Sequence, residues 1–225
     1  MRLRIRQSAW AAVLLAAALP AQQNGLPPGT YRAGGDVTAP KVTASADPQF
    51  TDAARQARLQ GVVDISLIVG TDGQPHDLKI LKSLGLGLDE SALTTVSQWR
   101  FQPGTKAGRP VPVFTKVQVS YRLLLDPKMW RVTKAAFDVP DGTKAPVLTR
   151  AEYPQFKGAS PAATVTLTFD ITEKGEPKNL QAESGSDMRY SGEVQSLVKK
   201  WRFQPAARAG APVASKATFN FARGK

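Results

Sequence analysis

The sequence predicts an α+β protein made of two tandem copies of a β-hairpin–α–β unit, in which one helix packs on a three-stranded antiparallel sheet. Three observations carry this prediction: an internal repeat, a strand-like alternation of apolar residues early in each copy, and a helix-like apolar stripe that follows it. With 225 residues, of which 42% are hydrophobic, the chain is long enough to form two small packed domains.

The repeat defines the expected domain organisation. Trp99-Arg-Phe-Gln-Pro103 recurs unchanged as Trp201-Arg-Phe-Gln-Pro205, a shift of 102 residues that holds without a gap from about residue 61 onwards. A repeat of this length is domain-sized, which excludes a short-period solenoid. The expected division is a signal peptide at residues 1–21, a flexible lead at 22–38, a first domain at 39–125, a linker at 126–143 and a second domain at 144–225.

Each copy is predicted to open with a hairpin. Apolar residues alternate with polar ones in its first strand, so one side of that strand is buried and the other exposed. The buried sets are Val63, Ile65, Leu67 and Val69 in the first copy and Val165, Leu167, Phe169 and Ile171 in the second. Gly73 and Gly175 then permit a tight turn, and the return strands are predicted over residues 76–81 and 178–183.

A helix and a final strand complete each copy. Apolar residues at spacings of three and four form one stripe, as on the buried face of a helix. The stripes are Leu88, Ala92, Val96 and Trp99 in the first copy and Tyr190, Val194, Val198 and Trp201 in the second. Asp89 and Ser191 are the predicted N-caps, and Asp52–Leu59 predicts a further short helix. The final strands are predicted at Val113–Leu123 and Val213–Ala222.

The N-terminus predicts export. A basic stretch up to Arg6 precedes an apolar run that ends near Leu19, and a small residue, Ala21, stands before a polar segment. This is the anatomy of a secretory signal peptide; an uncleaved membrane anchor is the alternative. Loss of residues 1–21 lowers the net charge from +12 to +9 because three arginines are removed. The expected localisation is periplasmic after cleavage near Ala21, or periplasm-facing and anchored in the inner membrane.

Charge and composition exclude several classes of function. The chain has no cysteine and a single histidine, His76, so a zinc site or a thiol nucleophile is not expected. Gly85-Leu-Gly-Leu88 lacks the rest of a phosphate-binding fingerprint, so no cofactor is expected. Basic residues are scattered along the sequence rather than clustered, which argues against nucleic acid as a binding partner. The sequence therefore predicts a protein that binds other proteins, with no catalytic or metal-binding residue and no small-molecule substrate.

The ordered motifs resemble the C-terminal domain family of TonB. In the first copy they are Gly61-Val-Val-Asp-Ile-Ser-Leu67, Asp72-Gly-Gln-Pro75, Trp99-Arg-Phe-Gln-Pro103 and Gly108-Arg-Pro-Val111. The first copy departs from the family pattern with Asp47 where tyrosine is favoured, and the second with Ala163 in place of the first glycine. The resemblance implies that the last strand of a unit pairs with an extended segment of an outer-membrane receptor.

The candidate binding residues follow from that implication, because an unpaired strand edge offers N–H and C=O groups to a peptide. They are Val113, Phe114, Lys116, Gln118 and Ser120 in the first copy and Val213, Lys216, Thr218 and Asn220 in the second. The edge lysines also suit a role against aggregation, which is compatible with binding. A homodimer through these edges, a short membrane-anchored TonB-type energy transducer, and a basic structural protein of the envelope are the alternatives.

The linker carries aromatic residues that require an explanation. Met129, Trp130 and Phe137 lie within it, and exposed aromatic side chains in a linker are costly. We expect them to pack between the two domains. A mobile linker is the alternative.

Overall fold

A computed structural model describes residues 25–123, 130–153 and 163–223. The predicted signal peptide and Met129 lie outside these residues. Up to the end of the first copy, the elements are β1 (Tyr31–Arg32), β2 (Lys41–Ala44), α1 (Asp52–Gln56), β3 (Gly61–Val69), β4 (Pro75–Lys82), α2 (Leu88–Ser97), β5 (Arg100–Gln102), β6 (Thr105–Lys106), β7 (Arg109–Pro110) and β8 (Val113–Tyr121).

The elements that follow belong to the interdomain segment and the second copy. They are β9 (Trp130–Asp138), β10 (Thr143–Lys144), β11 (Val147–Arg150), β12 (Thr164–Ile171), β13 (Pro177–Ala182), α3 (Met188–Val198), β14 (Arg202–Gln204), β15 (Ala206–Arg208), β16 (Ala211–Val213) and β17 (Ser215–Arg223). Two larger mixed or antiparallel sheets with few helices confirm the α+β class.

The sheet of the first copy has the strand order β4-β3-β8-β1. Strand β8 pairs antiparallel with β3 along its whole length, from Gly61 opposite Tyr121 to Val69 opposite Val113. Among the residues that the structure describes, β8 pairs on its other side only with the two-residue strand β1, which runs parallel to it at Val113 and Phe114. The expected count of three strands was therefore wrong by this short addition.

The sheet of the second copy has the order β13-β12-β17-β9. Strand β17 lies between β12 and β9 and pairs antiparallel with both. The β9 pairing extends from Lys216 opposite Asp138 to Arg223 opposite Trp130. This sheet too has four strands rather than the predicted three, because the interdomain segment supplies the fourth.

Strand β9 corrects the expectation of a linker. Its Trp130 is 1% exposed and meets the ring of Tyr190 edge-on at a centroid distance of 5.7 Å. Its Phe137 lies edge-on against Phe219 at 5.8 Å. These aromatic residues thus pack in the core of the second copy and not between the two copies, because a strand beside β17 directs alternate side chains onto the same core.

The lead before the first copy is also ordered by packing. Residues 25–38 were expected to be flexible, yet Val37 is buried and the Tyr31 N–H donates to the Pro112 carbonyl at 2.9 Å. The Arg32 guanidinium lies 4.8 Å from the centre of the Phe114 ring. A cation over an aromatic face and a two-residue strand pairing together hold this segment on the start of β8.

The helices begin where the backbone turns, and not at the predicted caps. Helix α2 follows Gly87, which has φ +79 and provides no side-chain cap. Asp89 lies inside the helix and accepts from the Leu84 N–H at 2.9 Å and the Gly85 N–H at 3.1 Å, so it fixes the preceding loop. Helix α3 is capped by Asp187 rather than Ser191. The additional helix predicted near Asp52 is present as α1.

The repeated Trp-Arg-Phe-Gln-Pro motif has the same structural role in both copies. The Trp99 indole N–H donates to the Ala46 carbonyl at 3.3 Å, and the Trp201 indole N–H donates to the Glu152 carbonyl at 2.9 Å. The two phenylalanines that follow donate their backbone N–H to the hairpin glycine of their own copy, at 2.9 Å each. Trp201 is buried, whereas Trp99 is half-buried. The motif therefore ties the segment before the hairpin, and the hairpin turn itself, to the core of each copy.

The two copies contact each other through β9 and the segment after it. The Ala135 N–H donates to the Leu84 carbonyl at 2.9 Å, and the Gln60 N–H donates to the Val132 carbonyl at 3.2 Å. The Tyr153 hydroxyl donates to the carbonyl of Ala57 in the first copy. One contiguous cluster of buried apolar residues includes members of both copies. In the three described ranges, no helix combines the length and apolar character required to cross a bilayer.

Candidate functional site

The candidate site is the edge of β8 that faces away from β3. Beyond Phe114, where β1 ends, no strand in the described part of the chain lies beside Thr115–Tyr121 on that side. An unpaired edge presents a row of backbone donors and acceptors that a second extended chain can use. Within the described residues, this segment is one of two strand edges of the first sheet without a partner, the other being β4.

The orientation of the backbone groups follows from one hydrogen bond. The carbonyl of Pro112 accepts from Tyr31, so residue 112 turns its backbone groups towards β1 and the open side. In an antiparallel strand successive residues turn these groups to opposite sides. Lys116, Gln118 and Ser120 consequently present N–H and C=O to the open edge, while the residues between them pair with β3.

The side chains of these three residues are exposed to solvent. The Gln118 amide donates to the Asp64 carboxylate at 2.9 Å across the β3–β8 pair, which holds that side chain on the sheet surface and away from the edge. No hydrogen bond within the described residues engages the side chains of Lys116 or Ser120. The edge backbone is thus accessible without displacement of a neighbouring side chain.

Val113 and Phe114 do not belong to the open edge. Val113 is fully buried, and β1 pairs with both residues. The Arg32 guanidinium also covers the Phe114 ring. The expectation that these two residues lie on an unpaired edge was wrong, because the lead segment of the chain occupies this end of β8.

The predicted edge of the second copy is not an edge. Lys216, Thr218 and Asn220 lie in β17 opposite Asp138, Ala136 and Lys134 of β9. Val213 lies in β16, which pairs with β15. The expectation of an open edge at Val213–Ala222 was wrong, because the chain itself provides the strand that covers β17. The signal for β9 was present in the sequence as the alternation of Trp130, Val132 and later apolar residues.

The single histidine of the sequence, His76, lies beside the first hairpin turn. His76 is exposed and its Nε2 lies 3.7 Å from Asp72 in the hairpin turn. The Gln74 N–H donates to Asp72 and, with His76, holds the pKa of that carboxyl below its usual range. Among the described residues, no group of three or more histidine, cysteine, aspartate or glutamate side chains could hold a metal ion. The arrangement is that of a hydrogen-bonded turn.

Comparison with known proteins agrees with the motifs. The sequence profile of the family described as Gram-negative bacterial TonB protein C-terminal matches residues 46–123 and 152–222, which together cover more than half of the chain. The protein TonB of Vibrio cholerae serotype O1 is 30% identical over 86 residues, which are 38% of this chain and 34% of that protein. The chain thus spans about a third of the length of this relative. On the strength of the two matched segments, the chain belongs to the TonB C-terminal domain family.

Proposed function

We propose that this chain is a protein-binding module of the cell envelope, which takes up an extended segment of another envelope protein as an added strand along β8. The observation that carries the proposal is the open edge at Thr115–Tyr121, where three residues turn their N–H and C=O groups outward. Backbone pairing of this kind supplies affinity, and alternate side chains of the added strand supply specificity.

The second copy supports the proposal by analogy within the chain. The shift of 102 residues maps Thr218 onto Lys116 and Asn220 onto Gln118. At these positions β17 accepts β9 as a fourth strand. The repeat-equivalent edge of the first copy therefore has the geometry to accept a strand from another molecule.

Family membership supports a proposal for the partner and the place of action. We propose that the first domain, including the lead from Gly25, docks periplasm-facing segments of outer-membrane receptors and so contributes to TonB-dependent transport. The second domain, whose sheet includes β9, would then hold the first domain in place through the contacts of β9 with the first copy. Cleavage near Ala21 would release the protein into the periplasm. N-terminal sequencing of the exported protein tests this, since an intact Met1 would instead favour an anchored transducer.

A proline substitution at the edge distinguishes binding through the backbone of β8 from binding through its side chains. Gln118→Pro removes the outward N–H at the centre of the edge, whereas Gln118→Ala removes only the side chain. Binding of peptides from the periplasm-facing segments of outer-membrane receptors would be measured by isothermal titration calorimetry. We expect wild-type affinity for Gln118→Ala and a loss of about tenfold or more for Gln118→Pro, the cost of one hydrogen bond and a steric clash.

The result that would overturn the proposal is peptide binding that Gln118→Pro leaves unchanged. If that binding also vanished with added salt, the basic structural role in the envelope would be favoured, because screening removes contacts between exposed charges. Sedimentation of the wild-type protein alone would show whether two β8 edges pair in a homodimer.

A further inference from the structure

A cleft lies where the two copies meet, on the side of β8 that faces β3 and β4. Its volume of about 390 Å³ falls within the range of about 300–1,000 Å³ that is usual for small-molecule sites. The start of β3 and the ends of β4 and β8 line it from the first copy, and β9 lines it with Arg131 and Thr133. Neither copy forms this cleft alone, because β9 belongs to the sheet of the second copy.

Backbone hydrogen bonds between the copies fix the walls of the cleft. The Gln60 N–H donates to the Val132 carbonyl at 3.2 Å, and the Ala135 N–H donates to the Leu84 carbonyl at 2.9 Å. These two bonds hold β9 beside the start of β3 and beside the segment that follows β4. The backbone at Arg131 is therefore held in place before any ligand binds, which lowers the entropic cost of binding.

Three cationic side chains surround the cleft, namely Lys82 at the end of β4, Arg122 directly after β8, and Arg131 in β9. No aspartate or glutamate is among the described residues that line it. Within the described ranges none of the three cations takes part in an ion pair. Lys82 and Arg122 are exposed, and Arg131 is half-buried. A concavity lined by one sign of charge focuses the electric field and raises the local concentration of anions.

One carboxylate, that of Asp64, lies close to the cleft by register. Asp64 is opposite Lys82 in the β3–β4 ladder. Its carboxylate accepts from the Gln118 amide at 2.9 Å and forms no ion pair with a described residue. A single negative charge beside three positive ones leaves the cleft with an excess of positive charge.

We infer that this cleft binds a phosphate group. Arginine presents a planar fork of N–H donors that matches the oxygens of a phosphate, and two arginines and a lysine suit an anion of more than one negative charge. The cleft has room for more than a phosphate ion, so the group belongs to a larger molecule, either a soluble phosphate ester or the headgroup of a lipid. This inference goes beyond the proposed function and does not depend on it.

The experiment uses the full mature chain, with inorganic phosphate as the probe. Backbone amide chemical shifts are followed by NMR while phosphate replaces chloride at constant ionic strength. We expect saturable shifts at Arg122, Arg131 and Thr133. Arg122→Gln and Arg131→Gln should each raise the dissociation constant about threefold or more, the expected effect of losing one partly exposed ion pair.

Two further variants separate the cleft from general charge and from folding. Lys174→Gln removes a positive charge at an exposed turn of the second copy, outside the cleft, and should leave the dissociation constant unchanged. Asp64→Asn removes the negative charge opposite Lys82 and keeps an oxygen that can accept from Gln118. It should lower the dissociation constant about twofold, a gain in affinity that damage to the fold cannot produce.

Vesicles of phosphatidylcholine with and without phosphatidic acid distinguish the two sources of the phosphate group. Tighter binding to phosphatidic acid vesicles than to free phosphate, weakened in Arg122→Gln and Arg131→Gln, identifies a lipid headgroup. Saturable binding of phosphate without binding to either vesicle identifies a soluble phosphate ester. Both outcomes support a phosphate site.

Other outcomes would overturn the inference. Shifts that spread over the surface without saturation, or dissociation constants in both arginine variants equal to that of the wild type, would mean that the cleft is not an anion site. Equal affinity for acetate at the same ionic strength would refute the preference for phosphate. Peptide binding along β8 is a separate measurement, so either result can fail while the other stands.

Discussion

Two prolines at repeat-equivalent positions should have unequal effects on stability. Lys116 and Thr218 are related by the shift of 102 residues and occupy the same place in their sheets. The Arg223 N–H donates to Ala163 on the β12 side at 3.0 Å, so by alternation Thr218 turns its N–H towards β9. Lys116 turns its N–H towards the open edge. Proline removes a bonded donor in one case and a solvated donor in the other.

The expected magnitudes differ by several-fold. Thr218→Pro loses one ladder hydrogen bond, which is about 1 kcal/mol net, and places the proline ring against β9, so we expect a loss of about 2–3 kcal/mol. For a chain of this size that corresponds to a fall in Tm of about 5–10 °C. Lys116→Pro lies on an edge that tolerates proline and should cost less than about 0.5 kcal/mol.

Urea unfolding followed by tryptophan fluorescence measures both variants. Lys116→Ala and Thr218→Ala are the controls, because they change the side chain and keep the backbone N–H; the second also accounts for the Thr218 hydroxyl, which lies 3.4 Å from that of Thr168. Equal losses in the two proline variants would mean that the β8 edge is covered. No loss in Thr218→Pro would mean that β9 does not pair with β17.

Two further predictions concern the junction and pH. Gly85→Ala should destabilise the protein by about 2 kcal/mol or more, because Gly85 has φ +87 and a Cβ there would lie 2.0 Å from the Ala135 carbonyl oxygen in the contact between the copies. Gly108→Ala is the control: Gly108 has φ +77 and a Cβ there would meet no atom within 4 Å, so only the backbone strain of about 1 kcal/mol is expected. Differential scanning calorimetry measures both variants, and equal losses of stability would contradict the contact. Burial raises the pKa of the Tyr153 hydroxyl, so its contribution to stability is complete below about pH 10 and is lost as rising pH ionises the unfolded chain. Tyr153→Phe should make Tm fall less steeply with pH above about pH 10. Some of the fall should remain, because burial also raises the pKa of Tyr121. An unchanged slope of Tm against pH would count against burial of the Tyr153 hydroxyl.

The hairpins, the helices and the final strands were predictable because each depends on local pattern. Alternation placed Val63, Ile65 and Leu67 on the buried side of β3, and all three are fully buried. The helix stripe likewise placed Val96 and Val198 in the core. The helix starts were missed, because the apolar stripe does not reveal where a helix begins. Gly87 precedes α2 through its left-handed backbone conformation, and the Asp187 carboxylate caps α3 by accepting from the Arg189 N–H.

The sequence predicted the candidate edge in the first copy but not the pairing of the equivalent strand in the second. Among the described residues, no strand pairs with Lys116, Gln118 and Ser120 on the side away from β3, which agrees with the expected edge, and their role in binding stays a prediction. The equivalent residues in the second copy have the same local pattern and yet pair with β9. No local property of β17 distinguishes it from β8, because an edge is defined by what lies beside a strand.

The sequence by itself determined the family, the repeat and the faces of the strands and helices, because these depend on motifs and on periodicity along the chain. Only the tertiary structure decided which of two equivalent strands is covered and which segment covers it. The physical reason is that backbone pairing is nearly independent of side-chain identity, so the choice of neighbour rests on long-range packing, here the burial of Trp130 and Phe137 against the second copy.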